Sequence, residues 1–199
     1  MKKMKLDLGN ILKNVTNIQI MNNIDRHHSR LQTKFDFLDI RVAKLHFQKI
    51  REFLEKSSLY FSNQWKMRLS EFPVVLIDVF TIKGDLAFIL CINYRNYNFY
   101  PPQITILNNE YRAFLSISNN MVTLDKDGIN HIIANPMGYA WICTRGTYMF
   151  HDFYYDLDRW ELIRNTEDDN PIVLIERTIG YFDLSKSLIE EEKKNLSKN

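Results

Sequence analysis

The chain has 199 residues, of which 45% are apolar, 25% charged and 13% aromatic. That mixture suits one globular domain with a decorated terminus, and it excludes wholesale disorder or a fibrous repeat. No apolar run approaches the roughly 20 residues needed to cross a bilayer, and the basic start MKKMKLDLGN lacks the apolar stretch of a secretory signal. Two cysteines, Cys91 and Cys143, make no disulfide framework and exclude a four-cysteine zinc site, so a reducing, cytoplasmic setting is expected.

The formal net charge of +2 conceals an asymmetry: residues 1–70 carry 14 Lys and Arg against 6 Asp and Glu, and residues 71–199 carry 12 against 18. A basic N-terminal third suits an acidic protein surface or nucleic acid. Nucleic acid is not the expected partner, because no aromatic-basic motif for reading bases accompanies the charge. A domain that bound it through residues 1–70 would lose affinity steeply with salt.

Residues 1–33 read as an N-terminal extension, Asn- and Lys-rich, in which Leu8, Ile11, Leu12 and Val15 fit one apolar helical stripe. His27 and His28 are adjacent and point to different sides of a helix or strand, so they make no metal pair. The main domain is expected over residues 34–182. It opens on a helix from Asp39, a plausible N-cap, to about Tyr60, with Ile40, Ala43, Phe47, Ile50, Phe53 and Leu54 recurring at three- and four-residue steps. His46 sits within that helix as a surface or partly buried residue.

After Pro73 the texture changes to strands. VVLIDVFTI is β-branched and apolar, Lys83-Gly84-Asp85 is a turn signal, and LAFILCINY and QITIL follow as second and third strands, antiparallel where joined by so short a turn. Cys91 lies inside the second run as a small buried hydrophobe. Residues 108–137 are polar and turn-rich, an irregular excursion or small hairpin with a turn at Asp127-Gly128. The aromatic stretch from Gly138 contains the apolar strand-like triplet Trp141-Ile142-Cys143. Residues 157–164 suit a short helix, Pro171 to Phe182 a last strand-like run, and residues 183–199 a charged helix or tail.

Residues 84–107, GDLAFILCINYRNYNFYPPQITIL, are the most informative. Pro cannot donate to a ladder, so Pro101-Pro102 belongs where the chain leaves one strand for the next, with Tyr97 and Phe99 as anchors pinning that stiff link to the core. Helix, strand, strand and this link together resemble the ubiquitin-conjugating enzyme family, whose pattern runs Tyr-Pro-Phe-x-Pro-Pro-x-(Ile/Val)-x-Phe. Tyr97, Phe99, Pro101, Pro102 and Ile104 stand in those places, while Asn98 replaces the first proline and Ile106 the final aromatic. The likeness covers roughly residues 39–107.

Downstream, the family has a flap bearing His-Pro-Asn, a glycine and then an Ile-Cys whose thiol accepts the modifier. Here His131, Asn135, Pro136, Gly138 and Ile142-Cys143 follow in that order, without a contiguous His-Pro-Asn. Cys143 lies 41 residues beyond Pro102, which implies an insertion around residues 108–137. The second half also resembles bacterial relatives found beside ubiquitin-like and antiphage conjugation systems, in which a Trp-x-Cys-x-Arg-Gly-Thr segment precedes a Glu- and His-rich stretch and a tryptophan. Trp141, Cys143, Arg145, Gly146, Thr147, His151 and Trp160 fit that outline, although Phe153, Tyr154, Tyr155 and Asp156 replace the extra histidines.

The resemblance implies an α+β domain: long N-terminal helix, antiparallel β-meander, flap loop and C-terminal helices. It implies a conjugating enzyme that carries a ubiquitin-like modifier as a thioester on Cys143 and passes it to an amine, without a cofactor, in a bacterial ubiquitin-like or antiphage defence system. Expected partners are the modifier and an activating enzyme or other pathway protein, docking through the basic N-terminal third, with no membrane. Thioester exchange needs an accessible thiolate, so a cation must lower the cysteine from its usual value near ~8.5. Arg145, His131 and His151 are candidates for that role. Asn135 would donate to the oxyanion. Asp152 or Asp156 would orient the incoming lysine, and Tyr139, Arg145 and Asp152 would contact the substrate.

The alternative is an inactive binding or scaffold module of the same fold, with Cys143 as packing. A degenerate metal site would use Cys143, His131, His151 and Asp156, whose separations match no compact ligand motif.

Overall fold

A computed structural model describes residues 38–57, 64–115, 117–134, 139–153, 159–164 and 170–197, with the side chains of residues 149, 152, 153 and 196 outside the description. The chain divides at Phe35 into two units. The expected apolar stripe of residues 1–33 falls outside the described residues, and the fold below is that of the unit beginning at Asp36.

Helix α1 (Ile40–Ser57) starts where the sequence signals it, with Asp39 Oδ1 accepting the Arg41 amide at 2.8 Å. Ala43, Phe47, Ile50 and Leu54 are buried along one face. Ile40 and Phe53 are exposed, so the apolar stripe is narrower than the sequence pattern suggests. Phe53 falls on the flank shared with exposed Val42, and Ile40 is the first residue of the helix.

Six strands follow in one antiparallel sheet: β1 (Trp65–Glu71), β2 (Val74–Phe80), β3 (Leu86–Asn93), β4 (Gln103–Leu107), β5 (Ile132–Ala134) and β6 (Ala140–Ile142), in spatial order β1-β2-β3-β4-β6-β5. Strands β2 to β4 are the three apolar runs of the sequence. Strand β1 precedes them and carries only weak periodicity, because it is an edge strand. It buries Trp65, turns mostly polar side chains outward and slips register between Met67 and Leu69. The β2–β3 turn needs Gly84, whose φ of 89° is open only to glycine without strain.

Four helices complete the described unit: α2 (Tyr148–Phe153), α3 (Trp160–Ile163), α4 (Pro171–Ile179) and α5 (Leu188–Leu196). The core lies between one sheet face and helices α1, α4 and α5. Val75, Ile77, Val79, Phe88, Leu90, Ile92, Ile104 and Ile106 meet Phe47, Ile50, Leu54, Ile172, Ile175, Ile179, Leu188 and Ile189. Cross-strand neighbours Leu76, Cys91, Thr105 and Trp141 form a buried row on the opposite face. The expected α+β architecture with an antiparallel meander is present.

The run from Pro171 to Phe182 is a helix and turn rather than a strand. Asn170 Oδ1 accepts the amides of Ile172 and Val173, Pro171 occupies the first turn, and Ile172, Ile175 and Ile179 are buried at helical spacing. Capping and a one-sided apolar pattern here override the β preference of the branched residues. Trp65 Nε1 donates to Glu176 Oε1 and ties α4 to β1. The charged C-terminal segment forms α5, capped by Ser187 Oγ, with Leu188 and Ile189 buried at its start. No helix among the described residues is long and apolar enough to cross a membrane.

Candidate functional site

Strand β6 ends at Ile142, and the chain turns through Cys143-Thr144-Arg145-Gly146-Thr147 into α2. The Thr147 hydroxyl accepts the Thr144 amide at 3.2 Å and donates to the Thr144 carbonyl at 2.7 Å, closing a tight loop. Gly146 allows it with φ 87°. The Tyr148 amide donates to the Pro102 carbonyl at 2.9 Å, so the turn is fastened to the double-proline link.

That link is pinned as the prolines require. The Tyr97 ring packs edge-on between Tyr94 at 5.4 Å and Trp160 at 5.8 Å, and its carbonyl accepts His46 Nδ1 at 3.0 Å. The Asn98 carbonyl accepts Trp160 Nε1 at 3.2 Å and Arg164 Nη1 at 2.8 Å. The Tyr97–Asn98 peptide is cis. Phe99 is not the second anchor that the spacing predicts. It is 52% exposed, its ring edge-on to Tyr100 at 5.1 Å.

Cys143 is 7% exposed, and its burial pushes the thiol above its ordinary value. Its amide donates to the His131 carbonyl at 2.8 Å, and its own carbonyl faces His131 Nδ1 at 2.8 Å. Sequence positions twelve apart are therefore brought together through the main chain of the cysteine. On the far side of the ring, His131 Nε2 meets Asp125 Oδ2 at 2.7 Å. Asp125 Oδ1 accepts the amides of Asp127 and Ile129 at 2.9 and 2.8 Å. The Ile129 amide first, and His131 second, hold the Asp125 carboxyl below the usual carboxylate range. The ring stacks on Tyr181 with centroids 4.3 Å apart, and the Tyr181 hydroxyl bonds Thr144 Oγ1 at 2.7 Å.

The remaining expected site residues are placed differently. Asn135 and Asp156 lie outside the described residues, as does the side chain of Asp152, which belongs to α2. Tyr139 is half-buried just before β6. Arg145 is half-buried and its carbonyl accepts Arg177 Nη1 at 2.8 Å. His151 Nε2 accepts the Gly146 amide at 3.2 Å, and its ring stands edge-on to Trp160 at 5.7 Å. Among the described residues no group of three or more His, Cys, Asp or Glu side chains is placed to hold a metal ion.

Sequence reasoning missed Asp125, Thr144, Arg177 and Tyr181. Asp125 had a local signal, since an aspartate opening a turn commonly accepts the amides two and four residues on. Tyr181 had none, lying far along the chain from His131 and Thr144.

The arrangement has a definite chemical consequence. A carbonyl and a carboxylate only accept hydrogen bonds, and both nitrogens of His131 face such acceptors. The ring is turned to Asp125 and to the Cys143 main chain, and the thiol is desolvated rather than activated.

No family model matches the chain, and no curated protein matches it either.

Proposed function

We propose that the chain is a binding module of the ubiquitin-conjugating-enzyme type, in which Cys143 serves packing rather than modifier transfer. The observation that carries this reading is the closed state of Cys143: 7% exposed, its thiol pushed up by burial, with His131 committed to Asp125 and to the cysteine's own carbonyl. Reactive cysteines occupy electropositive, partly open surroundings, and this one does not.

Two exposed apolar side chains on a braced scaffold support the same reading. Phe99 is 52% and Leu162 74% exposed, on two elements joined through the Asn98 carbonyl, which Trp160 and Arg164 on either side of Leu162 both hold. Apolar side chains displayed on a braced scaffold suit protein docking. The partners that fit are a ubiquitin-like protein or another component of its pathway.

The test is iodoacetamide labelling of the native full chain at neutral pH, with Cys91→Ser and Cys143→Ser as controls. Cys143 is expected to label more slowly than free cysteine under the same conditions. Labelling faster than free cysteine would overturn the reading.

A carrier enzyme is the second reading, favoured by the contrast with Cys91. Cys143 sits on a turn beyond the ladder, whereas Cys91 is 1% exposed in the middle of β3. Its own signature is a thiol-sensitive adduct on Cys143 when a ubiquitin-like protein, its activating enzyme and ATP are supplied.

A further inference from the structure

The loop between Leu124 and Asn130 is a closed turn built around one residue. The Asp125 amide donates to the Ile129 carbonyl at 3.1 Å, and the Asp125 carbonyl accepts the Gly128 amide at 3.0 Å. Asp125 Oδ1 accepts the amides of Asp127 and Ile129 at 2.9 and 2.8 Å. Each of these bonds has Asp125 at one end. Asp127 and Gly128 are exposed within the turn, and a Cβ added to Gly128 would meet nothing within 4 Å. Gly128 holds a φ of 75°, in the region that favours glycine.

An aspartate followed by glycine carries a latent reaction. The glycine amide nitrogen can attack the side-chain carboxyl carbon of the aspartate and close a five-membered succinimide. A Cβ on the following residue crowds that approach, and glycine has none. Asp127-Gly128 is the one Asp-Gly pair in the sequence. The turn restrains it in two ways. The attacking nitrogen is engaged with the Asp125 carbonyl, so that bond must break first. The amides of Asp127 and Ile129 are pinned to one carboxylate oxygen, which fixes the main chain on both sides of the reacting peptide.

We propose that Asp127-Gly128 is a site of slow self-isomerisation to isoaspartate, and that Asp125 guards it by holding the turn closed. The inference concerns the chemistry of this loop and is independent of the binding-module reading. The step balances without a cofactor or a redox partner. The Gly128 nitrogen bonds to Cγ of the protonated Asp127 carboxyl, and the amide proton and the carboxyl hydroxyl leave together as water. Water then adds to the main-chain carbonyl carbon of Asp127 and breaks its bond to the Gly128 nitrogen. The peptide now runs through Cγ, the α-carboxyl is free, and the composition is unchanged. The product inserts one methylene between the two amides that share Asp125 Oδ1, so the turn cannot re-form both bonds as they were. The same carboxylate meets His131 Nε2 at 2.7 Å, so the change reaches beyond the loop.

The test incubates the full chain at neutral pH, native and in urea, beside its Asp125→Ala and Asp125→Asn variants, and maps isoaspartate by peptide mass spectrometry. In urea, isoaspartate is expected at residue 127. The native protein is expected to form it at least about five-fold more slowly, the equivalent of one hydrogen bond. Asp125→Ala, which lacks the carboxylate, is expected to approach the urea rate. Asp125→Asn keeps an acceptor oxygen for the turn amides and is expected to stay near the native rate. No isoaspartate at residue 127 in urea overturns the site. Equal rates in the native protein and in urea, or in the native protein and Asp125→Ala, overturn the guard. If Asp125→Ala does not fold, Asp125→Asn decides: a rate near that in urea overturns the guard, and a rate near the native one supports it.

Discussion

Strands β2 and β3 pair along their whole lengths, from Val74 with Asn93 to Phe80 with Leu86, whereas β4 meets β6 only at Thr105 and Trp141. The meander is held by continuous ladders and by side chains buried without polar partners. The segment from β5 to α3 adds individual side-chain bonds to main-chain atoms: Thr147 to its own turn, His131 to Cys143, Trp160 and Arg164 to Asn98, and, from α4, Arg177 to Arg145. Burial is additive and tolerant of small shifts, while each such bond depends on one geometry. The two cysteines sample the two regimes. Cys91 is 1% exposed inside the meander, and Cys143, 7% exposed, lies on the turn after β6.

The largest effect that sharpens this contrast is a cavity in the meander. Leu90 is fully buried in β3 between Ile77 and Ile106. Leu90→Ala is expected to cost about 2–5 kcal/mol in urea unfolding, with Cys91 and Cys143 both labelling faster as the whole domain loosens. A loss under about 1 kcal/mol would mean that the meander is not a close-packed core.

A smaller change should separate the regions. Trp160→Phe keeps a ring against Tyr97 and His151 but removes the donor to the Asn98 carbonyl, which Arg164 still satisfies. The expected cost is about 1 kcal/mol. Labelling of Cys143 should rise while Cys91 stays unreactive, because the double-proline link anchors the turn that follows β6. Equal acceleration at both cysteines would show the two regions to be one cooperative unit.

What could be read from the sequence follows the same division. The meander announces itself because β2 to β4 are apolar runs bounded by Gly84 and the Pro101-Pro102 pair, and α1 because its buried residues repeat at helical spacing. Strand β1 was hidden by its polar outward face. Helix α4 was hidden by its branched residues, although the Asn-Pro start was present in the sequence. At the candidate site, Cys143 and His131 were nominated from the sequence and do meet. Their relation was not legible, because a bond from a ring to a carbonyl leaves no trace in residue type. Asp125 was visible only as part of a turn, and Tyr181 is recruited by packing from a helix that was itself misread. Local patterns report ladders and stripes, while long-range bonds to main-chain atoms need the fold.

The finest test bears on Asp125, where the loop regime can be resolved bond by bond. Its carboxyl lies below the usual range, and the Ile129 amide contributes more to that than His131 does. A carboxylate stabilised in the folded state contributes fully above its unfolded value, about 3.9, and the contribution is lost as pH falls through the lower folded value. A carbon-detected titration of Asp125 should therefore show a midpoint below about 3.9. In His131→Gln the midpoint should move up only part of the way, because the bonds to Ile129 and Asp127 within the turn survive. A complete return to the ordinary value would show that the histidine organises the loop. A partial one would show that the turn amides hold the carboxylate ionised without the ring, so that this loop carries its own local structure whether or not His131 is bound to it.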